Sequence, residues 1–129
     1  MSTSAFPTSC DIYLEIDGRK VAVVQSYSAK STRSSRSIEA FGEPEPVATI
    51  PGPNRYTIEL TRVYATGRAI ADGIRFHDLT RFNLVICKPD RNIIYSDCQW
   101  SAISETGSLG ETVLEKVTVN AAKRVESPV

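Results

Sequence analysis

The sequence is short of what a catalytic or membrane-spanning protein would need. Its 129 residues include one histidine, one tryptophan and one methionine. His77 stands beside Asp78, but no nucleophile is paired with them, so base-and-orienter chemistry lacks its third member. A hydrogen-bonded histidine at the rim of the fold is the ordinary alternative. Net charge is missing too, with 15 basic and 15 acidic residues. No global field then draws in nucleic acid or an anionic membrane, and little keeps copies of the chain apart. No apolar run is long enough to cross a bilayer, so stable membrane insertion is not expected. Met1-Ser2-Thr3-Ser4 lacks the basic region and apolar block of a signal peptide, which points to the cytoplasm. Cys10, Cys87 and Cys98 form no CxxC pair and no metal-ligand spacing. Glycines are scattered without a phosphate-cradling signature, and Glu43 and Glu45 lie in a solvated, proline-rich stretch. No catalytic residue, metal or cofactor is assigned.

What is present is alternation of period two, the mark of strands. Ile12, Leu14 and Ile16 form one face of a strand that ends at Asp17-Gly18, a dipeptide suited to a tight hairpin turn. A return strand is expected over Lys20 to Ser28. Tyr56, Ile58 and Leu60 alternate with Thr57, Glu59 and Thr61. Phe82 to Cys87 is apolar on both faces and should be central. Ile93 to Ile103 follows after a turn at Lys88 to Asn92, which sets Cys87 opposite Ile93 and Cys98 opposite Phe82. Those thiols are out of register for a disulfide. The last strand runs from Thr112 to about Arg124, where Glu115 interrupts an apolar side formed by Val113, Val117 and Val119. Thr66 can cap one short helix carrying Ile70 and Ile74.

Between residues 29 and 53 the alternation collapses into a basic, serine-rich and then proline-rich segment. A long irregular loop is expected there; loops of that length tend to be functional, and disorder is the alternative. Ile38, Phe41, Val47 and Ile50 argue that part of it docks on something. Lys30, Arg33 and Arg36 suit phosphates or acidic groups on a neighbouring copy, without the interleaved aromatics of a single-strand platform. Flexible ends are expected at residues 1–9 and 125–129. The expected fold is mainly β, in one domain over 1–129. It has two packed antiparallel sheets, as a sandwich or partly open barrel, with one short helix and a long loop after strand two. The strands at 55–64 and 112–124 are long, and no proline or dense lysine defends their edges. Pairing between copies would resolve this by closing a larger barrel around a polar lumen, while an ordinary sheet with one solvated face is the alternative.

Several stretches together resemble the tail-tube proteins of contractile phages, phage-like elements and R-type bacteriocins. They are Asp11-Ile12-Tyr13-Leu14-Glu15-Ile16-Asp17-Gly18-Arg19, the polar loop, Tyr56-Thr57-Ile58-Glu59-Leu60-Thr61-Arg62, and Trp100 to Ser104 through Glu115 to Ala121. The resemblance covers nearly the whole chain as a pattern of strands and loops. It implies a non-enzymatic, self-assembling subunit whose hexameric rings stack into a tube, with residues 29–53 reaching the neighbouring ring. It makes Thr57, Glu59, Thr61, Lys116, Thr118 and Asn120 candidate lumen residues, although Lys116 departs from the acidic lumen common in the family. Sheath, tape-measure and baseplate proteins are the implied partners, and DNA would pass through the lumen in a phage. The implied course is assembly in the bacterial cytoplasm, then a virion tail or a released tail-like particle. A tube-initiator or baseplate ring of the same fold would leave almost the same trace. A monomeric β-barrel module that binds nucleic acid or protein is the other reading.

Overall fold

The computed structural model describes residues 6–66 and 72–129. Its strands are β1 (Tyr13–Ile16), β2 (Arg19–Lys20), β3 (Val24–Ile38), β4 (Ala48–Val63), β5 (Phe82–Cys87), β6 (Arg91–Thr106), β7 (Leu114–Ala121) and β8 (Lys123–Pro128). All pairings are antiparallel, in the order β2-β1-β5-β6-β7-β4-β3, with β8 also on β6. The sheet is not closed.

β6 joins two halves of this sheet. Its first part, Asn92 to Cys98, pairs with β5, while Gln99 to Thr106 pairs with β7. β7 and β8 follow each other along β6, joined at Ala122, whose N–H donates to the Ser96 carbonyl at 3.1 Å. Two irregularities bend β6, one opposite Phe82/Leu84, where Asp97 takes a φ of 53°, and one between Trp100 and Ala102. Extra residues of this kind raise local twist and coil a sheet upon itself. The halves therefore face each other. Leu14, Ile16, Leu84, Ile86 and Tyr95 from one meet Ile58, Leu60, Val117 and Val119 from the other in a single buried cluster. Tyr56 and Tyr95 touch edge to face across the join, 6.2 Å between centroids.

The β1–β2 hairpin turns at Asp17-Gly18, both with positive φ (49° and 84°), as a type I′ turn demands. The expected return strand is interrupted. β2 stops at Lys20, Val23 sits at a φ of 54°, and the chain leaves one sheet edge to begin β3 at the opposite one. Ile86, not Cys87, lies opposite Ile93, while Cys98 does lie opposite Phe82. The extra residue at Asp97 accounts for both, because it shifts the register by one partway along the hairpin.

Three other expectations change. Residues 29–53 are not a long loop: β3 and β4 pair from Val24/Arg62 to Ile38/Ala48, leaving only 39–47 as a connection. The chain end is not frayed over 125–129, since β8 pairs residue by residue with β6 and Glu126 bonds both Arg91 and Arg124. Of the expected helix, residues 67–71 lie outside the described residues. Residues 72–75 are irregular, and a single 3₁₀ turn, Phe76–Asp78, follows.

Candidate assembly surfaces

The six residues expected on a lumen face lie together. Across β4 and β7, Thr57 is opposite Asn120, Glu59 opposite Thr118, and Thr61 opposite Lys116. Their neighbours in sequence, Ile58, Leu60, Val117 and Val119, are buried, so strand alternation turns these six outward. The Thr57 hydroxyl lies 3.3 Å from the Asn120 carboxamide oxygen. Lys116 reaches Glu59 at 3.8 Å, so its charge is shared within the face. The row extends further than the sequence indicated. Register adds Ser26, Ser28 and Lys30 on β3, and Gln99, Ala102 and Ser104 on β6. Lys30 therefore lies opposite Thr57 on this polar face, apart from the rest of the former loop. Cross-strand register was the signal missed, and it cannot be read while most of β3 passes for a loop and its first residues are taken to return beside β1.

Two edges flank that polar face. Among the described residues, β3 has no strand on its outer side, and neither has β6 beyond Cys98, where β5 ends. An edge so long and undefended is open to pairing with another chain.

The remaining loop candidates decorate a two-stranded arm. β7 accompanies β4 only as far as Tyr56, so Ala48 to Arg55 pair with β3 alone. This overhang extends roughly 25 Å at about 3.3 Å per residue. A Cβ at Gly52 would run into the Ser34 carbonyl and hydroxyl, so only glycine lets the two strands approach at their irregularity. Arg33 and Arg36 lie on the shaft and, like Lys30, make no ion pair among the described residues. Ile38 and Ile50 lie near its end, 37% and 43% exposed, with Val47 beyond them and Phe41 fully exposed in the tip turn.

A site the sequence did not reveal lies at the other end of β4. Arg62 is only 13% exposed, its Nε donating to Glu115 at 3.0 Å and its Nη1 to Asp72 at 3.2 Å. Its Nη2 donates to the Ile74 carbonyl at 2.7 Å, and the guanidinium lies 4.7 Å from the Phe76 ring centroid. Asp72 also accepts from the backbone N–H groups of Ala22 and Ile74, both at 2.8 Å. Glu115 thus interrupts the apolar side of β7 because it answers Arg62. Its distance of 53 residues from that partner hid the pairing. The network borders a cleft of about 740 Å³ walled in part by Ala22, Val63, Tyr64, Ala65, Phe76 and Ile103.

His77 and Asp78 do not form a dyad. The His77 ring sits edge-on to Trp100, 5.8 Å between centroids, while Asp78 pairs with Arg75 at 3.4 Å. Trp100 Nε1 donates to the Leu79 carbonyl at 3.1 Å, tying the 3₁₀ turn to β6. Cys87 and Cys98 are buried and unbridged, and burial pushes the Cys98 thiol up to about 11, so it stays protonated near neutral pH. Glu43 and Glu45 are exposed, as expected.

This architecture is the one found in chains of phage tails and contractile injection systems. A chain of the tube-terminating cap of the anti-feeding prophage superposes with a TM-score of 0.72 at 10% identity, covering 100% of this chain and 95% of that one. A chain of the sheath–tube complex of an extracellular contractile injection system in its extended state gives 0.70 at 12% identity, covering 99% and 100%. One from the tail of empty gene transfer agent particles, described with C6 symmetry, gives 0.69 at 11% identity, covering 96% and 99%. At such identity the likeness shows the fold. No protein-family model matches the sequence, and no curated protein does.

Proposed function

We propose that this chain is a structural, non-enzymatic subunit whose six-membered rings stack into the inner tube of a phage tail or phage-tail-like particle. The observation that carries this is the polar face across β3, β4, β7 and β6, lying between two undefended edges. Pairing the β3 edge of one copy with the free β6 edge of the next repeats the same contact around a ring. A heterologous contact that closes by rotation makes a cyclic oligomer. The closed barrel carries Thr57, Glu59, Thr61, Lys116, Thr118 and Asn120 on its lumen, joined by Lys30 and Gln99. Six copies agree with the C6 symmetry of the gene transfer agent tail. Arg33, Arg36, Ile38, Phe41, Val47 and Ile50 on the arm serve contacts between subunits and between rings.

Sheath, tape-measure and baseplate proteins follow as partners, with assembly in the bacterial cytoplasm before incorporation into the particle. DNA passes through the lumen if the particle is a phage. A ring that ends or starts a tube is the second reading, since a chain of a tube-terminating cap superposes as well as one of the sheath–tube complex does. Negative-stain electron microscopy of the purified chain separates them. A main tube subunit gives six-fold rings and tubes of many rings, whereas an end ring gives rings that do not extend. Dispersed monomers at high concentration would refute both.

A further inference from the structure

The arm tip and the cleft stand at opposite ends of β4. The tip lies just before Ala48, and Arg62 and Val63 at the other end of the strand line the cleft. At about 3.3 Å per residue the two are on the order of 50 Å apart. The tip is an ordered turn. Val47 N–H donates to the Ile38 carbonyl at 2.9 Å, Glu43 N–H to the Ala40 carbonyl at 3.3 Å, and Gly42 supplies a φ of 83°. This turn presents Phe41 to solvent with Ile38, Val47 and Ile50 close behind, an apolar knob of the kind that marks an interaction site. The cleft offers a concave surface lined in part by Val63, Tyr64, Phe76 and Ile103, and about 740 Å³ is ample for one aromatic side chain and its neighbours. The charges beside it are already committed, since Arg62 is saturated by Asp72, Glu115 and the Ile74 carbonyl. Glu105 also lines the cleft, exposed and without an ion pair among the described residues, while the arm brings the unpaired Arg33 and Arg36.

We infer that the arm tip of one copy, led by Phe41, seats in this cleft of a second copy in the adjoining ring. The inference rests on the tube reading and names the receptor that the reading leaves open. Knob and hole are different surfaces at opposite ends of one chain, so the contact cannot close as a two-fold pair and instead propagates. That is the property a stacked tube requires. The overhang of β3 and β4 supplies the reach.

Two full-length variants test it. Phe41→Ala removes the knob and keeps the cleft, whereas Ala65→Trp fills the cleft and keeps the knob. Each alone is expected to give rings but no tubes by negative stain. Rings of the two, formed separately and mixed, should give two-ring particles and nothing longer, because one working knob meets one working cleft. Long tubes from either variant, or no pairs in the mixture, would overturn the proposal. Wild-type protein that forms no rings sinks the tube reading as well; wild-type tubes with unchanged variant tubes sink this inference alone. Should Ala65→Trp fail to fold, cross-linking decides. Ala40→Cys, exposed beside Phe41 and leaving that ring in place, is combined with Ala65→Cys in a Cys10→Ser background, which removes the exposed native thiol while Cys87 and Cys98 stay buried. Oxidised assemblies should run as a ladder of chain multiples on a non-reducing denaturing gel. Oxidised tubes that yield single chains only would refute the contact.

Discussion

From Tyr56 to Val63, β4 alternates between seats in the core and seats on the polar face, whereas from Ala48 to Arg55 nearly every residue is exposed. One continuous strand thus serves two purposes. In the body, side chains of β4 are held by β7 on one side, β3 on the other and the facing half-sheet beneath. In the arm only the backbone ladder to β3 remains. A two-stranded ribbon alone in water is marginal. Its order comes from being the extension of strands already fixed in the body. The difference separates what stabilises the subunit from what the subunit offers to others: burial is spent in the body, and exposed apolar and basic groups are kept for the arm.

The largest expected effect breaks the body. Leu60 is 1% exposed, so Leu60→Asp places an unpaired carboxylate in the core and should abolish cooperative folding. Thr57→Asp, three residues earlier and facing outward, should cost about 1 kcal/mol or less, mostly through lost strand preference. Circular dichroism and thermal melts of both variants check the pair. Equal damage would refute the two-face reading of β4.

Arg62→Met is next. It leaves Asp72 and Glu115 facing each other without their cation, both largely enclosed. Removing one partner of a mostly buried ion pair should cost about 3 kcal/mol, with a fall in Tm on the order of 10 °C. A melt unchanged within about 2 °C would mean that the network contributes little to stability.

How much of this was legible follows from the same contrast. Alternation is written into a sequence only where one face is buried, and so Leu14, Ile16, Ile58, Leu60, Val117 and Val119 were found, and with them the polar face opposite. β3 beyond Tyr27 is exposed on nearly every residue, and no burial filters its side chains. Serine, threonine and arginine serve there as well as anything, so β3 from Ala29 to Ile38 passes for a loop. β8 was missed for a related reason. Glu126 and Ser127 carry no apolar signal, yet β6 supplies the partner that holds them. The Arg62 network escaped because its members come from β4, β7 and the segment at Asp72, and only the fold brings them together. The resemblance to tail-tube proteins did anticipate the architecture, since it rests on the order of elements and not on their local propensities.

The smallest expected effect on stability is also the sharpest test of the division between body and arm. Replacing residues 34–53 by Asn-Gly joins Arg33 to Asn54, the pair directly opposite each other, through a two-residue turn suited to a hairpin. The excised part includes Ile38, Phe41, Val47 and Ile50, all exposed, and takes no residue of the buried cluster. Shortening the connection also lowers its closure entropy. The truncated chain should therefore melt within a few degrees of the full-length protein while losing the ability to stack. Analytical ultracentrifugation alongside the melt reads both properties from one sample. A truncated chain that unfolds would place the arm among the elements that hold the body together. One that still forms tubes would move the stacking contact from the arm to the polar face and its two edges.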